Sequence, residues 1–426
     1  ITTEINRNLN VQLNIAGNIQ DYYRPGGYTY ENQKGYNLFH LMLYSLPYVP
    51  QEYNGYPTSG YRQSGSAANA VYGSANSGFE KARNVRLETS AKIEYSFPFL
   101  KGLKASMFAS WDYYDGDGKT FTYAYDIMAF TPADKNNANK GNGYSLVKSA
   151  NLLPEGNMYV GNNKRQKVML RPSISYNNKI GLHDIGALFL YEQKKENSSS
   201  FSGSRKDFDI FDLPELNFGD AATAIINGSS GKSAYAGYVG RLNYAYDNKY
   251  LVEASFRYDG SYLFAEGQRW GFFPSVSLGW VASEDFFKDL FPKIDYFKLR
   301  GSVGILGNDN VDPFLYRKLY KLNSNNVAFG TSPSSQSTLS NKVAYPMTDL
   351  TWEKCRTINL GFEMNAWNGL LGVEFDVFYK YTYDILQNIT SIYPASLGGH
   401  VPTRMNDGTF DNKGFELILK HRNQIS

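Results

Sequence analysis

From Arg269 to Ala282 the chain alternates without a break. Trp270, Phe272, Pro274, Val276, Leu278 and Trp280 hold the even positions, and Arg269, Gly271, Phe273, Ser275, Ser277 and Gly279 the odd ones. Successive side chains on a strand point to opposite faces, so the spacing predicts a strand with one face apolar from end to end. The two tryptophans lie ten residues apart. At about 3.3 Å per residue and a tilt of roughly 40°, that places them about 25 Å apart along a membrane normal. This is the height of the apolar band of a transmembrane β-barrel, with an indole at each edge.

The same period recurs. Alternation predicts strands over 8–17, 85–97, 103–113, 167–176, 184–194, 234–246, 250–259, 296–306, 352–365 and 370–384, with a last one starting near Lys413. That makes about twelve strands. The connections alternate long and short, as in an outer-membrane barrel whose periplasmic turns are tight and whose outer loops are long. Parity places 260–267 outside and 283–295 inside, the latter with room for a helical turn; a short helix is expected over 37–44 before Pro47 and Pro50.

Composition agrees without deciding. Tyr (35), Phe (27) and Gly (39) are abundant, yet no apolar run is long enough to cross a bilayer as a helix. The 43 basic and 40 acidic residues are interspersed, which gives no electrostatic footprint for nucleic acid. Cys355 is the sole cysteine, so an internal disulfide is excluded. The four histidines lack ligand-like spacing, so no metal site is expected. The chain opens Ile1-Thr2-Thr3-Glu4 with no signal peptide, and is expected to be an internal part of an exported protein.

Local motifs for other chemistry fail. Asp112, Asp115 and Asp117 resemble a calcium loop, but Lys119 stands where a further oxygen ligand belongs and no closing glutamate follows; a solvated turn is expected. Gly228-Ser-Ser-Gly-Lys-Ser233 lacks the glycine spacing of a phosphate loop. No nucleophile and base pair is evident, so no catalytic residue and no cofactor is expected. Tyr22, Tyr23, Tyr53 and Tyr56, in the first long connection with Tyr28, Tyr30, Tyr36, Tyr48 and Tyr61, are candidate stacking platforms for sugar rings or peptide side chains, with packing inside a folded loop as the bland reading. Lumen-parity charges (Arg86, Glu88, Lys92, Glu94, Glu253, Arg257, Arg300, Glu374 and Asp376) are expected to pair with one another or with a plug. Lys354 and Arg356 share the lipid parity at an outer strand end, where snorkelling is cheap.

Linked blocks in order carry a resemblance: Gly240-Arg-Leu-Asn-Tyr244, Arg257-Tyr-Asp259-Gly260-Ser261, Arg269-Trp270-Gly271-Phe-Phe-Pro274-Ser-Val-Ser277, Gly279-Trp280, Leu299-Arg300 and Gly307-Asn308. Leu350-Thr-Trp-Glu-Lys354 and Asn412-Lys-Gly-Phe-Glu416 follow. This pattern resembles the barrel of SusC/RagA-type TonB-dependent outer-membrane transporters over most of the chain. Tyr262-Leu-Phe-Ala265 departs from it, since a more polar run usually follows the Asp-Gly-Ser.

The resemblance implies an all-β fold, an antiparallel barrel of about 22 strands, of which residues 1–426 form part of one domain with the plug absent. It implies active import of glycans or oligopeptides across a Gram-negative outer membrane, a SusD-like lipoprotein as lid, and energy from the TonB-ExbB-ExbD complex. The blocks themselves are expected to be structural. A structural or adhesive outer-membrane barrel, and a secreted β-sandwich that binds carbohydrate, are the other readings of the alternation alone.

Overall fold

The computed structural model describes residues 1–25, 50–58, 78–122, 126–131, 143–147, 156–210, 212–285, 290–318, 321–323, 338–340, 345–389, 392–394, 396 and 401–422. The strands in chain order are β1 (Thr2–Asn6), β2 (Leu9–Pro25), β3 (Glu52–Tyr53), β4 (Tyr56–Pro57), β5 (Gly78–Ser96), β6 (Leu103–Thr122), β7 (Ile127–Thr131), β8 (Gly143–Val147), β9 (Asn157–Ile180) and β10 (His183–Lys206). They continue with β11 (Ile225–Tyr246), β12 (Tyr250–Ser261), β13 (Trp270–Val281), β14 (Ile294–Asn308), β15 (Lys321–Asn323), β16 (Thr338–Ser340), β17 (Glu353–Ala366), β18 (Leu371–Asn388) and β19 (Arg404–His421).

Thirteen of these make one antiparallel sheet in the order β1-β2-β5-β6-β9-β10-β11-β12-β13-β14-β17-β18-β19. The other six are hairpins inside the long connections: β3 with β4, β7 with β8, and β15 with β16. Each main strand pairs with the next one, which is how a chain of hairpins builds a barrel wall. Backbone groups satisfied between strands are what a hydrocarbon environment demands.

The tight turns gather at one end. Asp247 and Asn248 both adopt positive φ between β11 and β12, the two-residue geometry that matches the twist of a hairpin. The link between β13 and β14 holds a 3-10 turn at Ala282–Glu284, as the sequence suggests. The helix expected over 37–44 lies outside the described residues.

The strands run further outward than alternation predicts. β10 continues to Lys206 beside β9 and β11, twelve residues past the expected end at Lys194. Beyond the apolar band both faces meet water, so the contrast between odd and even positions disappears. Glu196-Asn-Ser-Ser-Ser200 is accordingly strand, paired with Ser229 to Ser233. Asp112, Asp115 and Asp117 also stand on a strand, β6, and not in a turn. The last strand starts at Arg404, before Asn406-Asp407-Gly408. That turn-like triplet is accommodated by register shifts against β18 between Thr382 and Leu386, since a glycine-containing bulge bends a strand without ending it.

The wall is one residue thick through the apolar band, and the buried clusters lie at its outer end. Phe79, Phe121, Met158 and Phe208 form one. Phe264, Phe273, Met347, Leu350 and Trp352 form the other.

Candidate functional site

The outward face is apolar and uncovered: Ile15, Val276, Leu278 and Leu360 are exposed. A continuous apolar surface of this kind needs lipid or a partner. Aromatic rings border it. On the loop side Tyr238 stacks on Trp270 at 6.0 Å and Trp270 on Tyr258 at 4.8 Å, while Tyr191 meets Tyr238 at 5.0 Å. On the turn side His183 meets Tyr246 at 5.1 Å and Tyr246 stacks on Tyr250 at 6.4 Å, with Trp280 opposite Tyr250. Trp270 and Trp280 thus mark the two edges of the band.

The inward face is polar and paired with itself. Lys92 and Lys104 both reach Glu94 at 2.8 Å, and Arg241 reaches Glu253 at 2.7 Å. Arg300 on β14 bridges Glu363 on β17 at 3.0 Å and Asp376 on β18; Lys420 pairs with Glu374. Gly361 lies between Arg300 and Asp376 in the register, and a Cβ there would collide with the Asp376 carboxylate. A missing side chain lets one guanidinium cross a whole strand. The Arg241–Glu253 and Arg300–Asp376 pairs line an open trough of about 580 Å³ on the inner wall, with Asn243, Ser302 and Asn359 among its lining residues.

The remaining singled-out residues organise the outer rim. Arg257 grips Asp259 with two nitrogens, at 2.9 and 3.1 Å, and donates to the Tyr235 hydroxyl at 2.6 Å. Tyr235 in turn donates to Asp259. Burial, then the Asp259 hydrogen bond, pushes the Tyr235 phenol up from its ordinary pKa, so it stays a donor. Gly260 leaves room for the Trp270 ring, and Gly271 and Gly307 for the Phe273 ring. Pro274 pairs with Phe256 on one side, while the β14 ladder begins only at Ser275. Having no N–H to donate, it marks where β14 parts from β13. Asn308 accepts from the Asn310 backbone at 3.2 Å.

Two members of this rim carry no sequence flag. Tyr235 is separated from its partners by 22 and 24 residues. Asn406 clamps the chain by bonding Thr351 through both N–H and C=O and by donating to the Asp384 carbonyl at 2.7 Å. The departure at Tyr262-Leu-Phe-Ala265 is explained by Phe264, which is buried against Trp352.

The tyrosines expected to bind ligand do not converge as a set. Tyr22 and Tyr23 are neighbours on β2 and so stand on opposite faces. Tyr22 faces the lumen and donates to Glu80 at 3.4 Å, whereas Tyr23 stacks on Phe79 at 6.2 Å. Tyr53 and Tyr56 face each other across the β3–β4 hairpin. Tyr28, Tyr30, Tyr36, Tyr48 and Tyr61 lie outside the described residues. Lys354 bonds Asp384 at 2.9 Å and sits over Tyr383, with Arg356 over Tyr381, so both cations end among rim aromatics. Asp115 and Asp117 share the Asn162 amide, and Asp112 faces Lys167 at 3.4 Å. Among the described residues no His, Cys, Asp or Glu group could hold a metal ion.

No family model matches the chain. It is 27% identical over 342 residues to the TonB-dependent receptor SusC of Bacteroides thetaiotaomicron, covering 80% of this chain and 31% of that protein. It is 30% identical over 293 residues to a TonB-dependent receptor of Formosa agariphila, covering 67% and 28%. The chain therefore spans about a third of the length of the curated relatives it matches. Its fold superposes on the RagAB peptide transporter with a TM-score of 0.74 over 99% of this chain and 43% of that one, at 20% identity. A second RagAB state gives 0.75. By sequence and fold together, the chain is recognised as SusC/RagA-type TonB-dependent receptor barrel.

Proposed function

We propose that the chain forms part of the wall of an active importer in the outer membrane of a Gram-negative bacterium, taking up glycans or oligopeptides. The observation that carries this reading is the two-faced wall. An uncovered apolar face bordered by Trp270 and Trp280 suits lipid, and an inner face of mutually paired charges suits a wet lumen able to hold a plug. Chemistry beyond binding is not required of any residue, so the reading is transport without covalent catalysis. A SusD-like lipoprotein would close the outer end, and the TonB-ExbB-ExbD complex would supply energy through regions outside this chain.

The test is deletion and complementation of the complete gene in cells grown on glycans or on oligopeptides as sole carbon source, with and without TonB. Growth that needs both the gene and TonB supports import. Growth indifferent to both refutes it and leaves a structural or adhesive barrel.

A further inference from the structure

The inward face changes character above the outer aromatic ring. Following the register across six strands, one lumen-facing row reads Gln20, Asn84, Gly116, Asn163, Ser200, Ser229. The next row outward reads Tyr22, Ala82, Gly118, Gly161, Ser202, Asn227. Neither contains a charge. At about 4.8 Å per strand the band is about 24 Å wide. Charge resumes on both sides, at the Arg24–Glu80 pair above and at Arg86 and Arg165 below.

Two tyrosines lie down across this band. Tyr114, held between the Arg86 and Arg165 guanidiniums, donates to Asn84 at 2.8 Å, and its hydroxyl would meet a Cβ on Gly116 at 2.6 Å. Tyr159 reaches in from the opposite side, its hydroxyl 2.8 Å from where a Cβ on Gly161 would be. The glycines let both rings lie against the backbone. Between them Gly118 has no atom within 4 Å of its Cβ position, so the floor there is open. The concavity so formed encloses about 580 Å³.

We infer that this band is a subsite for a neutral oligosaccharide. Sugar hydroxyls both donate and accept, which matches amide and hydroxyl side chains that do the same. Ring C–H faces need flat aromatic partners, and the exposed Tyr22 and Tyr159 supply them. A peptide brings charged termini and side chains, for which the two rows offer no counter-charge; Asp117, which also lines the concavity, has the opposite parity to Gly116 and Gly118 and accepts from the Asn162 amide at 2.6 Å. The RagAB structures are of a peptide importer, but a likeness at that identity carries the fold and not the cargo.

The inference rests on the import reading, and its test separates the two. The full-length receptor is purified in detergent and titrated by calorimetry with neutral oligosaccharides (α- and β-glucans, mannans, xylans) and with oligopeptides of matched length. Gly118→Asp adds a carboxylate where space is open, and Tyr159→Ser removes a ring from an exposed position. Each should weaken binding of a neutral oligosaccharide about tenfold while leaving the heat-modifiable folded band on a gel unchanged. Binding of peptides alone, of no oligosaccharide in the panel, or of an oligosaccharide with undiminished affinity in Gly118→Asp overturns the subsite. Oligosaccharide binding lost in the variant, with growth indifferent to TonB, upholds the subsite and refutes import. TonB-dependent growth on peptides with no oligosaccharide binding does the reverse.

Discussion

The Trp352 indole N–H donates to the backbone carbonyl of Arg269 at 2.9 Å, tying together residues 83 positions apart in the chain. The ring is almost fully buried and meets Phe273 at 5.2 Å and Phe264 at 5.5 Å. It therefore joins the connection before β17 to the start of β13, at the place where Pro274 ends the β13–β14 ladder. Trp352→Ala should destabilise this outer end by about 3–5 kcal/mol, and Trp352→Phe by about 1 kcal/mol through the lost hydrogen bond. Limited proteolysis of the receptor in micelles checks this. Cleavage should appear within 262–269 and 345–352 in Trp352→Ala, with strand amides inside the apolar band still protected from hydrogen exchange.

Arg257 and Asp259 form the second rim device. The Asp259 side chain is 10% exposed and that of Arg257 46%, so the pair lies between a surface and a buried ion pair. Arg257→Ala should cost about 1–2 kcal/mol, mainly by leaving the buried carboxylate short of a donor. Asp259→Asn in the same background should recover part of this. A double-mutant cycle on urea unfolding midpoints reads the coupling, and additive losses would refute it.

Alternation alone made the apolar band legible. Between Trp270 and Trp280 every residue lies on the face its parity predicts, because lipid on one side and water on the other impose a strict period of two. The outer extensions of β9, β10 and β11 were hidden for the converse reason, that both faces there are wet. The rim was half legible. Glycines and the Arg-Tyr-Asp-Gly-Ser block stood out, yet Tyr235, Asn406 and the role of Gly361 depend on partners brought together only by strand register.

Gly361 offers a steric test of the Arg300 bridge. An added methyl would press on the Asp376 carboxylate and on the Phe375 carbonyl, the latter 2.6 Å away. Gly361→Ala should therefore cost about 1–3 kcal/mol through overpacking and displace Arg300 from Asp376. If the bridge is what suffers, Arg300→Ala in the Gly361→Ala background should add less than it does alone, which urea midpoints for the two single variants and the double variant would measure.

Val276 and Ser277 are neighbours near the middle of the apolar band, on opposite faces of β13. Val276 is exposed outward opposite Ala254 and Val303, whereas Ser277 faces inward opposite Glu253 and Ser302. In a bilayer, an arginine facing lipid near the midplane costs about 2–4 kcal/mol, while one facing the lumen meets water and carboxylates. Val276→Arg should therefore lower the unfolding free energy in lipid vesicles by that amount, with Ser277→Arg nearly neutral. A protein-packed sandwich makes a different prediction, since both faces of a central strand would not then differ by access to lipid. Brominated phospholipids supply the independent readout. Bromines near the headgroups should quench Trp270 and Trp280 more strongly than bromines at the chain ends, and equal quenching at all depths would place the two indoles away from the membrane edges.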